Sequence, residues 1–120
     1  MLSEAVWAGF FASGAAVAAK LAFGAFSDGA TLLATAYGLL FLLSNVAMWT
    51  CHTAALERSA TTVKPVVINA AVNFACSGLA GMLLFDEAHG LLWWAGIGLL
   101  LLGFALLLSS RADDDTKKTQ

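Results

Sequence analysis

Three polar residues stand four positions apart in an otherwise apolar stretch of the chain. Asn69, Asn73 and Ser77 occur within INAAVNFACSG, which covers residues 68–78. On an α-helix, steps of four residues advance about 40° around the axis, so these side chains form one narrow stripe. Inside a bilayer such groups must face protein or a water-filled cavity. Two interpretations are open: hydrogen-bonding contacts between helices, or the lining of a pathway for a polar solute.

A second polar face is predicted in the preceding apolar segment. Its members follow one another at the spacings of three and four that a single helix face requires: Ser44, Asn45, Met48, Trp49 and His52. Asn45 lies deep in the segment, and we predict that it binds the solute. Trp49 and His52 lie toward one end, where they are equally well explained as residues of the membrane interface.

Lys20 is a lone cation in the first apolar segment, residues 5–23. It shares a face with Gly9, Ser13 and Ala16, a groove of small residues that permits close approach of another helix. Lys20 would either extend to the membrane surface or face a cavity and favour a negatively charged solute. Solute contacts are therefore predicted for Asn45, Asn69, Asn73, Ser77 and Lys20.

No metal site, cofactor or enzyme active centre is predicted. Cys51 and His52 are adjacent, but adjacent residues diverge by about 100° around a helix, and no second pair of ligands accompanies them. The acidic sequence LLFDEAH lacks the glycine-rich loop of a nucleotide hydrolase. Its Asp86 and Glu87 are expected to stabilise the start of the last helix. No nucleophile, base and orienting group can be combined, so no catalytic residue is assigned.

The elements that must position these residues are four apolar segments. Of 120 residues, 60% are hydrophobic and 12% are charged, about half the charged fraction of an ordinary soluble domain. A membrane-spanning helix needs about 20 apolar residues. We therefore predict an all-α membrane protein, whose residues 1–109 form a four-helix bundle in the lipid bilayer. The predicted helices are about 5–23, 31–55, 61–85 and 91–108, and residues 110–120 are predicted to be a disordered cytosolic tail.

Loops and charges predict how the helices are arranged. The short connections favour consecutive helices as antiparallel neighbours. Both termini and the second loop then share one side, which carries Arg58, Lys64, Arg111, Lys117 and Lys118, whereas the other side carries only Lys20. Cytosolic loops hold the excess of Lys and Arg, so both termini are predicted to be cytosolic, in a membrane that the sequence does not specify. The net charge of −2 gives no reason to expect a nucleic-acid partner.

The last apolar segment has glycines where the others have polar residues. Gly96 and Gly103 are seven residues apart and therefore share one helix face. Such glycines allow a close contact with another helix. We expect this face to pack between the subunits of a dimer.

Residues 54–108 resemble the closing portion of an EamA-type repeat of the drug/metabolite transporter superfamily. The resemblance begins with an Ala-Leu pair at Ala55 and Leu56 and a small-residue helix start at Ser59 and Ala60. It continues through the helix from Lys64 and the loop glutamate Glu87. It ends with two glycines of the last helix, Gly98 and Gly103. A further similarity is to the transmembrane protein 42 group of this superfamily. It lies in the first helix, which contains AAKLAFG, and in the stretches SNVAMWT and LLWW.

The resemblance implies a four-helix unit equivalent to one repeat of a transporter. Full-length members resemble two fused inverted halves that bind solute between them at mid-membrane. The small multidrug-resistance relatives have four helices, work as dimers and export cations through a glutamate in the first helix. The corresponding stretch here, GFFASGAAVA, has no acidic residue, so that mechanism is not expected.

Two functions are therefore expected as alternatives. The first is transport of a small polar solute, with Lys20 favouring an anionic one, by a homodimer or with a partner membrane chain. The alternative is a non-transporting integral membrane subunit that serves interaction or assembly and has a transporter-derived fold.

Overall fold

The computed structural model describes residues 1–119, with the side chains of 111–116 and 118 excepted. These residues contain four α-helices: α1 (Leu2–Ser27), α2 (Thr31–Glu57), α3 (Val63–Leu84) and α4 (Leu91–Lys118). All four are long and apolar enough to cross a membrane. The predicted all-α architecture with four candidate membrane spans is confirmed.

The ends of the helices follow from local backbone chemistry. The turn between α1 and α2 contains Gly29 at a φ of 77°, a left-handed conformation that glycine adopts without steric cost. After α3 the chain turns at Asp86, with a φ of 51°, and Asp is among the few other residues that tolerate this region. Pro65 lies in the first turn of α3, where its missing N–H has no helical partner to lose.

The end of α4 differs from the predicted boundary. The sequence predicts a helix to about residue 108 and a disordered tail at 110–120, whereas α4 runs to Lys118. The apolar part of α4 ends at Ser110. The residues that follow include Arg, Ala and Lys, which are favourable helix formers, so they continue the same backbone conformation. Gln120 lies outside the described residues.

α1 is the central helix, with α2 on one side and α3 on the other. An ion pair between Glu4 and Arg58 joins the start of α1 to the end of α2, so these helices are antiparallel. Lys20, late in α1, forms an ion pair with Glu87, just beyond the end of α3, so α1 and α3 are parallel. α2 and α3 are consecutive but touch at few points, because α1 lies between them.

α4 is the outermost helix and packs on α3. Trp93, near its start, lies against Gly78 of α3. Further along, Phe104 packs against the buried cluster of Ala5, Ala55 and Ile68. The Cα atoms extend over 65 × 35 × 14 Å. The Cα atoms of one helix span about 4.6 Å and packed helices lie about 8–10 Å apart, so four helices side by side span about 29–35 Å, as the second dimension does. The four helices therefore form little more than a single layer.

Small residues hold this layer together. The buried residues of α1 are Ala5, Ala8, Gly9, Ser13, Ala15, Ala18 and Ala25, and small side chains let helix backbones approach closely. Gly9 and Ser13 are thus buried as the predicted groove requires, whereas Ala16 and Lys20 are exposed. Most large apolar side chains face outward, and Leu92 is 90% exposed. This distribution suits helices that are surrounded by lipid.

Candidate functional site

The predicted polar stripe of α3 lies on its packed side. Asn69, Asn73 and Ser77 are each partly buried, and the stripe continues to buried Pro65 at one end and buried Gly81 at the other. The exposed residues of α3 are large and apolar, among them Phe74, Leu79 and Leu83. The stripe therefore faces neighbouring helices, as its spacing predicts, while the lipid-facing side of α3 is apolar.

Asn69 connects α3 with α2. Its amide nitrogen Nδ2 lies 3.2 Å from Nδ1 of His52, and since the amide donates, the ring nitrogen accepts. The His52 ring also meets Trp49 edge-on, with centroids 6.0 Å apart. The sequence left His52 open between an interfacial and a binding role. In the structure it forms the cross-helix partner of Asn69.

Asn73, Ser77 and Asn45 bond only within their own helices. Ser77 Oγ donates to Asn73 Oδ1 at 3.2 Å, one turn away in α3. Asn45 Nδ2 donates to the backbone oxygen of Phe41 at 2.9 Å in α2. In the described part of the chain, none of the three forms a hydrogen bond to another helix. The structure does not join Asn45 to the α3 stripe.

The free donors of Asn73 lie at accessible surface. Its Oδ1 accepts from Ser77, whereas its two amide N–H groups have no acceptor among the described residues. No buried side-chain nitrogen or oxygen of the described residues lacks a partner, so these N–H groups are not enclosed. In a bilayer, polar groups at this depth must meet water, a solute or another chain.

Lys20 pairs with a residue that the sequence placed in another role. Its Nζ forms an ion pair with Glu87 and lies 4.3 Å from the ring centroid of Phe85. The side chains are about half exposed, 49% for Lys20 and 45% for Glu87. Glu87 was expected to stabilise the start of α4, but the loop directs it to Lys20 instead, and Gly90 precedes the first turn of α4.

A small cavity joins this ion pair to the polar stripe. It has a volume of about 100 Å³ and is lined by residues of α1, of α3 and of the loop after α3: Ala16, Val17, Lys20, Ser77, Gly81, Phe85 and Glu87. Two of the predicted solute-binding residues, Lys20 and Ser77, therefore share one cavity. Among the described residues that line it, Lys20 and Glu87 are the one oppositely charged pair.

Two glycines of α3 allow the following loop to fold back onto the helix. The Glu87 N–H donates to the Gly81 oxygen at 3.1 Å, and Glu87 Oε2 lies 2.8 Å from the position of a Cβ at residue 81. His89 Nε2 lies 2.9 Å from the Gly78 oxygen, and its ring stacks on Trp93 at 4.0 Å.

Gly96 and Gly103 of α4 are exposed. A Cβ at either position would have no neighbouring atom within 4 Å. They therefore pack against no described part of the chain. Their predicted role in contacts between subunits stays a prediction.

The cysteines and histidines do not form a metal centre in the described part of the chain. No group of three or more His, Cys, Asp or Glu residues there could hold a metal ion. Cys51 and Cys76 are free thiols and are partly buried. Half-buried thiols in apolar helices are ordinary packing residues.

The chain was compared with known families and folds. No protein-family model matches it, and no solved structure matches it. The resemblance to the drug/metabolite transporter superfamily therefore stays a prediction that rests on the sequence alone.

Proposed function

We propose that this protein is a transporter-like membrane protein that moves a small polar solute as a dimer. The observation that carries the proposal is the bonding of Asn45, Asn73 and Ser77. All three lie inside apolar helices, and among the described residues their hydrogen bonds stay within one helix. Polar groups that associate helices bond across the interface. These three do not, so their remaining donors and acceptors are available to a solute.

The depth of these residues supports a binding role. Asn45 lies near the midpoint of α2 and Asn73 near the midpoint of α3. Transporters built from repeats bind their solute near the bilayer midplane. An asparagine amide both donates and accepts hydrogen bonds, so it suits hydroxyl, amide and carbonyl groups of a solute.

Lys20 is the group that would bind a negatively charged solute in the cavity. The Lys20 ammonium is matched by the Glu87 carboxylate, so the cavity between them carries no excess charge. A solute with a carboxylate or phosphate group would have to compete with Glu87 for Lys20. Ser77 lines the same cavity and would pass such a solute on to Asn73.

The thin shape of the chain favours a dimer. A layer about one helix thick exposes both of its faces and cannot enclose a pathway by itself. A second layer placed over the accessible donors of Asn73 would cover them and form a channel between the two. The partner is a second copy of this chain or another membrane chain.

A second candidate function is a non-transporting assembly subunit. The contact between Asn69 and His52, 3.2 Å across two helices, favours this alternative, because it uses a polar pair for helix association alone. On this alternative, the free groups of Asn73 would bond to a partner protein instead of a solute.

Two leucine substitutions, one turn apart on α3, separate these functions. Asn73→Leu removes a residue proposed to contact solute, and Asn69→Leu removes a cross-helix contact. Flux of amino acids, small carboxylates, sugars and nucleosides is measured into liposomes that contain the purified protein. We expect Asn73→Leu to abolish flux with an unchanged unfolding temperature. Asn69→Leu should lower helix association by about 1 kcal/mol.

Full flux in the Asn73→Leu variant would remove Asn73 from the pathway. Absence of flux for every solute in the panel, together with loss of a copurifying membrane protein in Asn73→Leu, would favour the assembly subunit.

A further inference from the structure

We propose that a groove between α3 and α4 binds an anionic phospholipid, with Lys64 holding its headgroup. The groove has a volume of about 220 Å³ and lies between the first turns of α3 and the later part of α4. Its apolar wall is formed by Val67, Phe104, Leu107 and Leu108, and Lys64 lies on its rim. This proposal does not depend on the proposed transport function.

The apolar wall suits an acyl chain. α4 packs against α3 at its start through Trp93 and against the buried cluster through Phe104. Leu107 is 46% exposed although it lines the groove, so the groove is open to its surroundings at this residue. In a bilayer, such an opening faces the hydrocarbon of the lipids, and an acyl chain fills it at no cost in polar contacts.

The rim selects the headgroup. Lys20 and Arg58 are both paired with carboxylates, whereas partly buried Lys64 has no ion pair among the described residues. Lys64 is the second residue of α3 and therefore lies at the level of the headgroups. Ser110 lines the same groove, and its hydroxyl can donate to a phosphate oxygen. Basic pockets between membrane helices are known to select anionic lipid headgroups.

The test is lipid retention by the full chain. The purified protein is extracted with mild detergent in the presence of equal amounts of phosphatidylglycerol and phosphatidylcholine with identical acyl chains, and retained lipids are counted by native mass spectrometry. We expect the wild type to retain phosphatidylglycerol preferentially. Lys64→Gln should reduce this preference by about fivefold, the effect of losing one cation near an anionic headgroup.

Matched variants control for general charge effects. Lys64→Arg keeps the charge and should keep the preference. Lys117→Gln removes the same charge at an exposed position that does not line the groove, and it should leave the preference unchanged.

Three results would overturn the proposal. The first is equal retention of the two lipids by the wild type. The second is the same loss of preference in Lys117→Gln as in Lys64→Gln. The third is displacement of the retained lipid by millimolar inorganic phosphate, which would indicate a free-anion site with no part for the acyl chain.

Discussion

At Gly9 the contact between α1 and α3 leaves no room for a side chain. A Cβ at this position would lie 2.6 Å from the backbone oxygen of Asn69 and 2.6 Å from Cβ of Val72. A backbone oxygen in a helix cannot rotate away as the end of a long side chain can. α1 and α3 can therefore approach this closely at the polar stripe only because residue 9 has no side chain.

Gly9→Ala should weaken the packing of α1 on α3. We expect the free energy of unfolding to fall by about 1–3 kcal/mol, the usual cost of inserting a methyl group into a tight contact. The measurement is reversible unfolding in detergent micelles, followed by circular dichroism. Gly24→Ala is the control, because no atom lies within 4 Å of its Cβ position. Equal stabilities of the two variants would show that α1 and α3 can separate without cost.

The ion pair of Lys20 and Glu87 concerns selectivity more than stability. Both side chains are about half exposed, and exposed pairs contribute about 0–1 kcal/mol. Such a pair is readily exchanged for another carboxylate or phosphate. This exchange is what the proposed transport of a negative solute requires, and a strong buried pair would prevent it.

At the scale of the helices, the order of packing differs from the order in the chain. The short connections predicted consecutive helices as neighbours, which holds for α1 with α2 and for α3 with α4. The prediction is largely wrong for α2 and α3, which touch at few points because α1 lies between them. The small residues of α1 explain this position, since a helix rich in Ala and Gly can be approached closely from two sides.

α4 is attached to the layer through a ring that rests on a glycine. The Trp93 ring would overlap a Cβ at residue 78, and it also stacks on the His89 ring, with centroids 4.0 Å apart. Unlike the backbone oxygen at Gly9, this ring is the end of a side chain and can shift. A substitution at Gly78 should therefore move Trp93 without unfolding the bundle.

Gly78→Ala should change the surroundings of Trp93 alone. The background is a chain in which the other three tryptophans are replaced: Trp7→Phe, Trp49→Phe and Trp94→Phe. We expect a shifted emission maximum, because displacement separates the indole from His89 and exposes it. Gly98→Ala, at an open position of α4, should leave the emission as it was. An unchanged spectrum in Gly78→Ala would refute the contact.

The sequence predicted the helices well and their partners poorly. Long apolar segments fix where spans form, and four-residue spacing correctly placed Asn69, Asn73 and Ser77 on the packed face of α3. Contacts such as Asn69 with His52, or Lys20 with Glu87, depend on how each helix is rotated and shifted against its neighbour. One signal was available: Lys20 is the only cation predicted on its side of the membrane, and Glu87 is on the same side.

At the scale of the whole molecule, the charges define two ends. The end formed by the start of α1 and the connection of α2 to α3 holds Arg58 and Lys64, and the opposite end holds Lys20, Asp28 and Glu87. Excess Lys and Arg marks the cytosolic side. A protein with this bias should insert in one orientation.

Two cysteine variants test the orientation in intact cells. The background replaces Cys51 and Cys76 with Ser, and the variants are Thr119→Cys and Ala88→Cys. A membrane-impermeant maleimide should label Ala88→Cys from outside and should label Thr119→Cys only after the cells are opened. Labelling of both in intact cells would indicate dual topology.

A fixed orientation restricts how two copies can associate. An antiparallel dimer needs half of the copies to insert against the charge bias, so the expected homodimer is parallel. Gly96 and Gly103 share one flank of α4 and contact no described part of the chain. Glycines on a lipid-facing flank allow two helices to approach closely, so we expect the contact between copies at this flank.

Substitution of two pairs on opposite flanks of α4 tests this contact. Gly96→Leu with Gly103→Leu should convert dimers to monomers in native mass spectrometry from mild detergent, because the added side chains keep the helices apart. The control is Gly98→Leu with Ala105→Leu, also seven residues apart and exposed, but about 200° around the helix from the first pair. This variant should remain dimeric. A monomeric wild type that still supports flux after reconstitution would contradict the dimer. If both pairs of substitutions convert the dimer to monomers equally, the contact between copies is not specific to the flank that holds Gly96 and Gly103.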